Sequence, residues 1–277
     1  MDVNGIIDNL AAIVPAPREG AFLGPDGLLH CRNCGTAVQC RINVLGRERV
    51  VPCICKCEAE RRQREEEERR RRELMLRISD MRKVGFPDSE MQSWTFAADD
   101  RSNEKLTRAL KSYVDNFDTF REKGKGLLLY GNIGTGKTFA AACVANALID
   151  KCYPVLMTNF ARLSNTLQGM YAGKQEYIDG LDRFALLVID DLAAERKTEY
   201  MQEIIFNIID SRYRSGLPMI ITTNLTLEEI KNPANVSDAR CYDRILERCF
   251  PIEVSGASHR RKKIIADYEE TKELLQL

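Results

Sequence analysis

The stretch GLLLYGNIGTGKTFAAACVANALID, Gly126 to Asp150, limits what this chain can fold into more than any other. An apolar run stops at a glycine, a glycine-rich turn follows, and an apolar helical pattern begins at once. Within it GNIGTGKT, Gly131 to Thr138, fits the spacing G-x-x-x-x-G-K-[ST] of a phosphate-binding loop. Glycines allow the backbone to turn and approach phosphates, so that successive amide N–H groups form an anion nest at a helix N-terminus. Gly131, Asn132, Gly134, Thr135 and Gly136 are the candidates for that nest. Lys137 is placed to reach the β- and γ-phosphates, and Thr138 to offer its hydroxyl to Mg²⁺.

The surrounding texture predicts the sheet this unit belongs to. PVLMT (Pro154–Thr158), FALLVID (Phe184–Asp190), PMIITTN (Pro218–Asn224) and FPIEV (Phe250–Val254) are short apolar runs separated by helical patterns. Residues 160–180 read as helix with a break near Gly169–Gly173, and TEYMQEIIFNIIDSRYRSG reads as a long helix with Gly216 as its C-cap. Continuous apolar strands alternating with helices predict an α/β fold with a five-stranded, mainly parallel sheet between helices.

LLVIDDLAAE ends its apolar run on two adjacent carboxylates, Asp190 and Asp191. A buried carboxylate is costly unless it is paired or faces a cation. Ligands of open α/β sheets lie beyond the carboxyl ends of the strands. Asp190 is therefore expected to meet Mg²⁺ through bound water, and Asp191 to orient or deprotonate the water that attacks the γ-phosphate. Asn224, closing PMIITTN, is expected to hold that water or the γ-phosphate.

Among 277 residues, 44% are hydrophobic, 30% are charged and the formal net charge is zero, so any nucleic-acid contact must come from local patches. No apolar run approaches the roughly 20 residues that cross a bilayer. The start MDVNGIIDNLAAIVPAP lacks the pattern of a secretory signal, and a cytoplasmic location with no membrane partner is expected. Ten cysteines are distributed unevenly, six of them between Cys31 and Cys57. In a reducing compartment such a cluster points to metal rather than disulfides. The C-x₂-C pair Cys31 and Cys34, followed by Cys55 and Cys57, can close a structural tetrahedral Zn²⁺ site. Cys53 is interchangeable with either of the last two, Cys40 is a spare, and His30 is a weaker alternative ligand. The remaining four (Cys143, Cys152, Cys241, Cys249) are expected to be small core residues.

These readings divide the chain into a zinc-binding module at 1–57, a charged helical linker at 58–83 and a nucleotide-binding domain at 84–277. Residues 1–30 read as a loosely structured lead-in. The linker carries seven Glu and seven Arg in residues 58–73, with Glu65 to Glu68 each four residues ahead of an arginine. That is the favourable i,i+4 order for a solvated helix.

With these residues in view, the region from about Val84 onward resembles the DnaC/IstB branch of AAA+ ATPases, the bacterial and phage replicative helicase loaders. The matching stretches are Thr95–Phe96, GNIGTGKT, LLVIDDLAAE, IIDSRY (Ile208–Tyr213), TTNL and CYDRILERCFPIEVSGASHRRKK, and the resemblance extends over about 190 of 277 residues. The resemblance implies an ATPase whose ATP-bound form is a ring or spiral homo-oligomer. It implies an arginine finger at Arg244, with Arg248 as rival, and a sensor arginine at Arg260, with Arg261 as substitute. It implies contact with single-stranded DNA through Asn159–Gln175, where Phe160, Arg162, Tyr171 and Lys174 are candidates or, for the two aromatics, core residues. The implied partner is a DnaB-type replicative helicase, gripped by the cysteine module. An IstB-like transposition helper acting on duplex DNA and a nucleotide-gated adaptor with little hydrolysis are the other readings.

Overall fold

Strands that are apolar at nearly every position bury both faces, and four of the five expected runs do so, while the fifth leaves Phe250 exposed. In the computed structural model, which describes residues 20–99, 103–193, 198–256, 258, 268, 271–272 and 274–275, the chain divides into two compact units, Met1–Met75 and Leu76–Leu277. In chain order the strands of the first unit are β1 (Ala21–Leu23), β2 (Leu29–Cys31), β3 (Gln39–Val44) and β4 (Arg47–Pro52). Those of the second are β5 (Gly126–Tyr130), β6 (Val155–Asn159), β7 (Leu186–Leu192), β8 (Met219–Thr223) and β9 (Cys249–Glu253). The helices are α1 (Lys56–Gly85), α2 (Glu104–Asp115), α3 (Phe117–Glu122), α4 (Lys137–Asp150), α5 (Phe160–Gln168), α6 (Lys174–Asp179), α7 (Glu199–Ser215), α8 (Leu227–Lys231) and α9 (Val236–Arg248).

In the larger unit β5 to β9 form one sheet in the order β6-β7-β8-β5-β9, every pair parallel. Period-two alternation sends Leu127, Leu129, Val188 and Ile220 to one face, where they pack with α2, α3 and α4. Leu128, Leu187, Ile189 and Ile221 go to the other, against α5, α7 and α9. Helix α4 is apolar on all sides and is buried from Ala140 through Asn146. Gly216 caps α7 in the left-handed conformation (φ 68°). Cys143, Cys241 and Cys249 are buried as small core residues, while Cys152 is half-buried.

Arg212 of α7 is 2% exposed. Its guanidinium donates to the carbonyls of Phe184 (3.0 Å), Ala185 (3.2 Å) and Pro218 (2.9 Å), at the beginnings of β7 and β8. Burial pulls its pKa down to about 10, while Asp182 favours the charged form.

The smaller unit departs from the expected lead-in. Residues 20–31 form an antiparallel hairpin of β1 and β2, and β3 and β4 form a second; residues 1–19 lie outside the described ones. No alternating apolar pattern marks these strands, because they are short and mostly exposed. The charged run folds into α1, but of the four expected i,i+4 pairs only Glu66–Arg70 is among those formed (3.0 Å). Glu66 also pairs with Arg69, and Arg61 and Arg62 both turn back to Glu58. Ile78 and Met81 pack on the core of the larger unit, whereas Leu74 and Leu76 are exposed. Among the described residues, no helix is long and apolar enough to cross a membrane.

Replacing Arg212 by Ala removes the guanidinium donor from three buried carbonyls, of which Pro218 keeps only the long bond from the Leu187 N–H (3.4 Å), and is expected to cost on the order of 3 kcal/mol. Urea denaturation of the intact chain, followed through its α/β unit, measures this as a lowered midpoint.

Candidate functional site

Because the strands are parallel, the loops after β5, β7 and β8 emerge together at one edge of the sheet. The turn after β5 brings its glycines into conformations closed to other residues: Gly131, Gly134 and Gly136 have φ of 143°, 83° and 92°. Gly136 is the N-cap of α4. A Cβ on Gly134 would collide with the Ser258 hydroxyl, so Ser258 lies against this turn. Lys137 is 5% exposed, and its ammonium donates to the carbonyls of Gly131 (2.9 Å) and Asn132 (2.7 Å). A buried ammonium arched over its own loop keeps a positive charge where the amides converge.

The two adjacent aspartates are separated by a change in backbone hand. Asp190 ends the regular part of β7, the register slips between Ile189 and Leu192, and Asp191 adopts φ 57°. Asp190 then accepts from Thr138 Oγ1 (3.2 Å) and from Thr222 Oγ1 (2.6 Å). The same Thr222 oxygen accepts the Asp191 N–H at 2.9 Å. Burial raises the pKa of Asp190 against the lowering effect of both hydroxyls, and the neighbouring Asp191 charge adds to the rise. One threonine from the central strand thus braces both carboxylate-bearing residues.

Lys137, Thr138, Asp190, Asp191 and Asn224 line one cavity of about 620 Å³ with Gly134, Gly136, Met91, Trp94, Ile133 and Phe139. Its donor set is an anion-binding loop, a buried ammonium and a hydroxyl–carboxylate pair, and it fits a polyphosphate with a divalent cation. Thr222 was missed in the sequence, although it stands in the same TTN stretch as Asn224. Met91 and Trp94 were missed because nothing local marks them; Asn146 of α4 holds that segment by donating to both of their carbonyls (2.9 Å each).

Other expected residues lie elsewhere. Arg244 and Arg248 do not line this cavity: Arg244 pairs with Asp210 (2.8 Å), and Arg248 lies over the Tyr213 ring (4.7 Å to its centre). Arg260 and Arg261 fall outside the described residues. Phe160, open to contact with DNA bases or to the core, lies in the core: it is 1% exposed and packs with Leu163 and Leu167. Tyr171 is fully exposed, Lys174 lies over Tyr200, and Arg162 is held by Asp88.

In the smaller unit the sulfurs of Cys31, Cys34, Cys55 and Cys57 all lie within 4.8 Å of one another. Cys31–Cys57 and Cys55–Cys57 are 3.6 and 3.4 Å apart, near the ~3.8 Å edge of a tetrahedron with Zn–S bonds of about 2.3 Å. The set is compatible with zinc. Crowding splits the thiols: the Thr36 hydroxyl and nearby amides lower Cys34 to about 5, while neighbouring sulfurs push Cys57 up to about 12. Cys53 is not part of the set and donates to the Ala37 carbonyl (3.4 Å). Cys40 is not part of it either, and His30 is engaged by Gly35 and Asp26.

The family described as "IstB-like ATP binding protein" matches residues 53–266. The chain is 30% identical over 196 residues to the replicative helicase loader DnaI of Bacillus subtilis, covering 65% of this chain and 62% of that protein. It is 28% identical over 183 residues to a protein of Sinorhizobium fredii named as an insertion sequence ATP-binding protein, covering 64% and 59%. It therefore spans about six-tenths of the length of these curated relatives. The crystal structure of DnaI superposes with a TM-score of 0.53 at 26% identity, over 64% of this chain and 98% of that one.

The raised pKa of Asp190 has a definite sign. A carboxyl that binds its proton more tightly folded than unfolded loses stability as pH climbs from the unfolded value toward the folded one. At neutral pH without nucleotide, Asp190→Asn is expected to raise the thermal midpoint and to flatten this pH dependence. Scanning calorimetry across pH 3–7 checks both, and an unchanged or lower midpoint would contradict the assignment.

Proposed function

The chain belongs to the IstB-like ATP-binding protein family, and from that premise we propose that it is an ATPase that loads a DnaB-type replicative helicase onto single-stranded DNA. The observation that carries the reading is one chain joining the cavity around Lys137 and Asp190 to a four-thiol cluster. The 30% identity to a replicative helicase loader supports it.

In this reading the amides of the loop from Gly131 to Gly136 cradle the phosphates of ATP, and Lys137 turns from its loop carbonyls to the β- and γ-phosphates. Thr138 and Asp190 are the residues that would hold a magnesium ion, which would supply charge neutralisation for the phosphates. Asp191, turned aside by its left-handed backbone, accepts the proton of the attacking water, and Asn224 orients that water from the end of β8. Arg244 reaches the γ-phosphate of a neighbouring subunit in a homo-oligomer, stabilising charge that develops only in the transition state. Arg260 closes on the bound nucleotide; Ser258 against Gly134 supports that role. Zinc held by Cys31, Cys34, Cys55 and Cys57 fixes the fold of the module that grips the helicase, with α1 as spacer. Tyr171, Arg162 and Lys174 meet the DNA strand. ATP binding assembles subunits on DNA, hydrolysis releases the helicase, and the setting is cytoplasmic.

Asp191→Asn is expected to bind ATP with near-normal affinity while turnover falls by about 10²–10⁴-fold, read by filter binding and phosphate release. About one zinc per chain is expected by atomic spectroscopy, lost in Cys34→Ser and kept in Cys53→Ser. A pull-down with the replicative helicase tests the function itself. Helicase binding that disappears with Cys34→Ser, together with turnover raised by single-stranded DNA, is the expected result. No helicase binding and turnover raised by duplex DNA would replace the loader with a transposition helper. Binding of ATP with negligible turnover under both conditions would leave a nucleotide-gated adaptor.

A further inference from the structure

Helices α7 and α9 pack against each other, and the seam between them holds an ordered group of charged and aromatic side chains. Asp210 divides its carboxylate between two arginines: one oxygen accepts from Arg244 Nε at 2.8 Å, and the other forms an ion pair with Arg214, 3.1 Å from its Nε. Arg244 Nη1 donates to the Arg240 carbonyl one turn back (2.9 Å). Its guanidinium lies 4.9 Å from the centre of the Phe206 ring and 5.6 Å from that of Tyr213. Tyr213 is itself anchored, its hydroxyl donating to the Glu247 carboxylate at 2.9 Å.

Two edges and a face of the Arg244 guanidinium are therefore fixed. Nη2 has no hydrogen-bond partner among the described residues, and the side chain is 29% exposed. A planar fork held at Nε and backed by aromatic rings points its remaining N–H groups in one direction. Arg248 is different: its Nη2 donates inward to the Tyr213 carbonyl, and it lies on the Tyr213 ring. The rival arginine is directed into its own subunit, and Arg244 is the one left with a free edge.

We propose that Asp210 is the positioning residue that aims Arg244 at the nucleotide of a neighbouring subunit, an inference that rests on the reading of Arg244 given above. Asp210 acts on its neighbour's reaction and not on its own. An ion pair serving only to join α7 to α9 would instead affect the subunit that contains it.

Mixing subunits of the full-length protein separates the two. Turnover is followed with single-stranded DNA for Arg244→Ala, Asp210→Ala and Asp210→Asn. Arg244→Ala is expected to lose about 10³-fold or more in turnover. Asp210→Ala is expected to lose about 10²-fold, the effect of misplacing a group by about an ångström, with KM for ATP unchanged. Asp210→Asn, which keeps an oxygen for the Arg244 Nε–H, retains most of the turnover. Adding Asp191→Asn subunits, which have intact fingers but do not hydrolyse, restores turnover to Asp210→Ala. Adding subunits that carry both Asp191→Asn and Arg244→Ala does not. Wild-type turnover in Asp210→Ala beside an inactive Arg244→Ala overturns this proposal alone, as does failure of the Asp191→Asn subunits to restore it. An Asn variant as inactive as the Ala variant overturns the geometric argument. Wild-type turnover in Arg244→Ala removes the finger reading and this inference with it.

Discussion

The carboxylate of Asp190 sits where burial opposes its charge, and much of the larger unit is arranged so that it can stay there. Three elements must converge on it. β7 delivers the carboxylate, α4 delivers Thr138 through the turn after β5, and β8 delivers Thr222. Strand β8 lies between β7 and β5, so the order of the sheet, and not any local motif, brings the two hydroxyls to opposite sides of one aspartate. A buried polar group without partners costs several kcal/mol. The cluster therefore helps select this strand order among the parallel arrangements that the apolar runs alone would permit.

How far the sequence revealed this depends on where the information lies. The inner strands of the large sheet were legible because both faces are buried, and Leu127 to Leu129 or Leu186 to Ile189 have no polar position to interrupt them. The phosphate-binding loop was legible because its backbone demands glycine at fixed positions. Thr222 was not, since a threonine in a strand is ordinary until the partner strand is known. Phe160 was open to either reading, yet Phe160, Leu163 and Leu167 stand at i, i+3 and i+7, the spacing of a buried helix face. That period was the available signal for the core. Tyr171 lies in the break between α5 and α6, where no period applies, and there the exposed alternative holds.

Ahead of its charged helix, the smaller unit was legible only through its cysteines, for a physical reason. Among its described residues the buried hydrophobic side chain is Cys55, while Phe22, Leu23, Ile42, Leu45, Val50 and Ile54 remain exposed. Two short hairpins of this size cannot bury enough apolar surface to offset chain entropy. The four sulfurs tie β2, the turn after it and the start of α1 to one point. Choosing among Cys53, Cys55 and Cys57 required the structure, because C-x-C spacing does not say which thiol ends a strand and which begins a helix. Cys53 follows β4 and binds the Ala37 carbonyl, whereas Cys57 lies in the first turn of α1.

IIDSRY, one of the stretches that carry the family resemblance, works at a distance from the nucleotide cavity. Asp210 and Tyr213 face α9 and order its arginines, while Arg212 turns inward to the carbonyls of Ala185 and Pro218. Those carbonyls precede β7 and β8, and Asp190 and Thr222 stand near the other ends of the same two strands. A paired strand is stiff along its length, so fixing the separation of Ala185 and Pro218 fixes the separation of Asp190 and Thr222. The buried guanidinium is therefore as much a part of the carboxylate's environment as the hydroxyls that touch it. One turn of α7 thus holds, through Arg212, the strands that present Asp190 and Thr222 and, through Asp210, the guanidinium of Arg244.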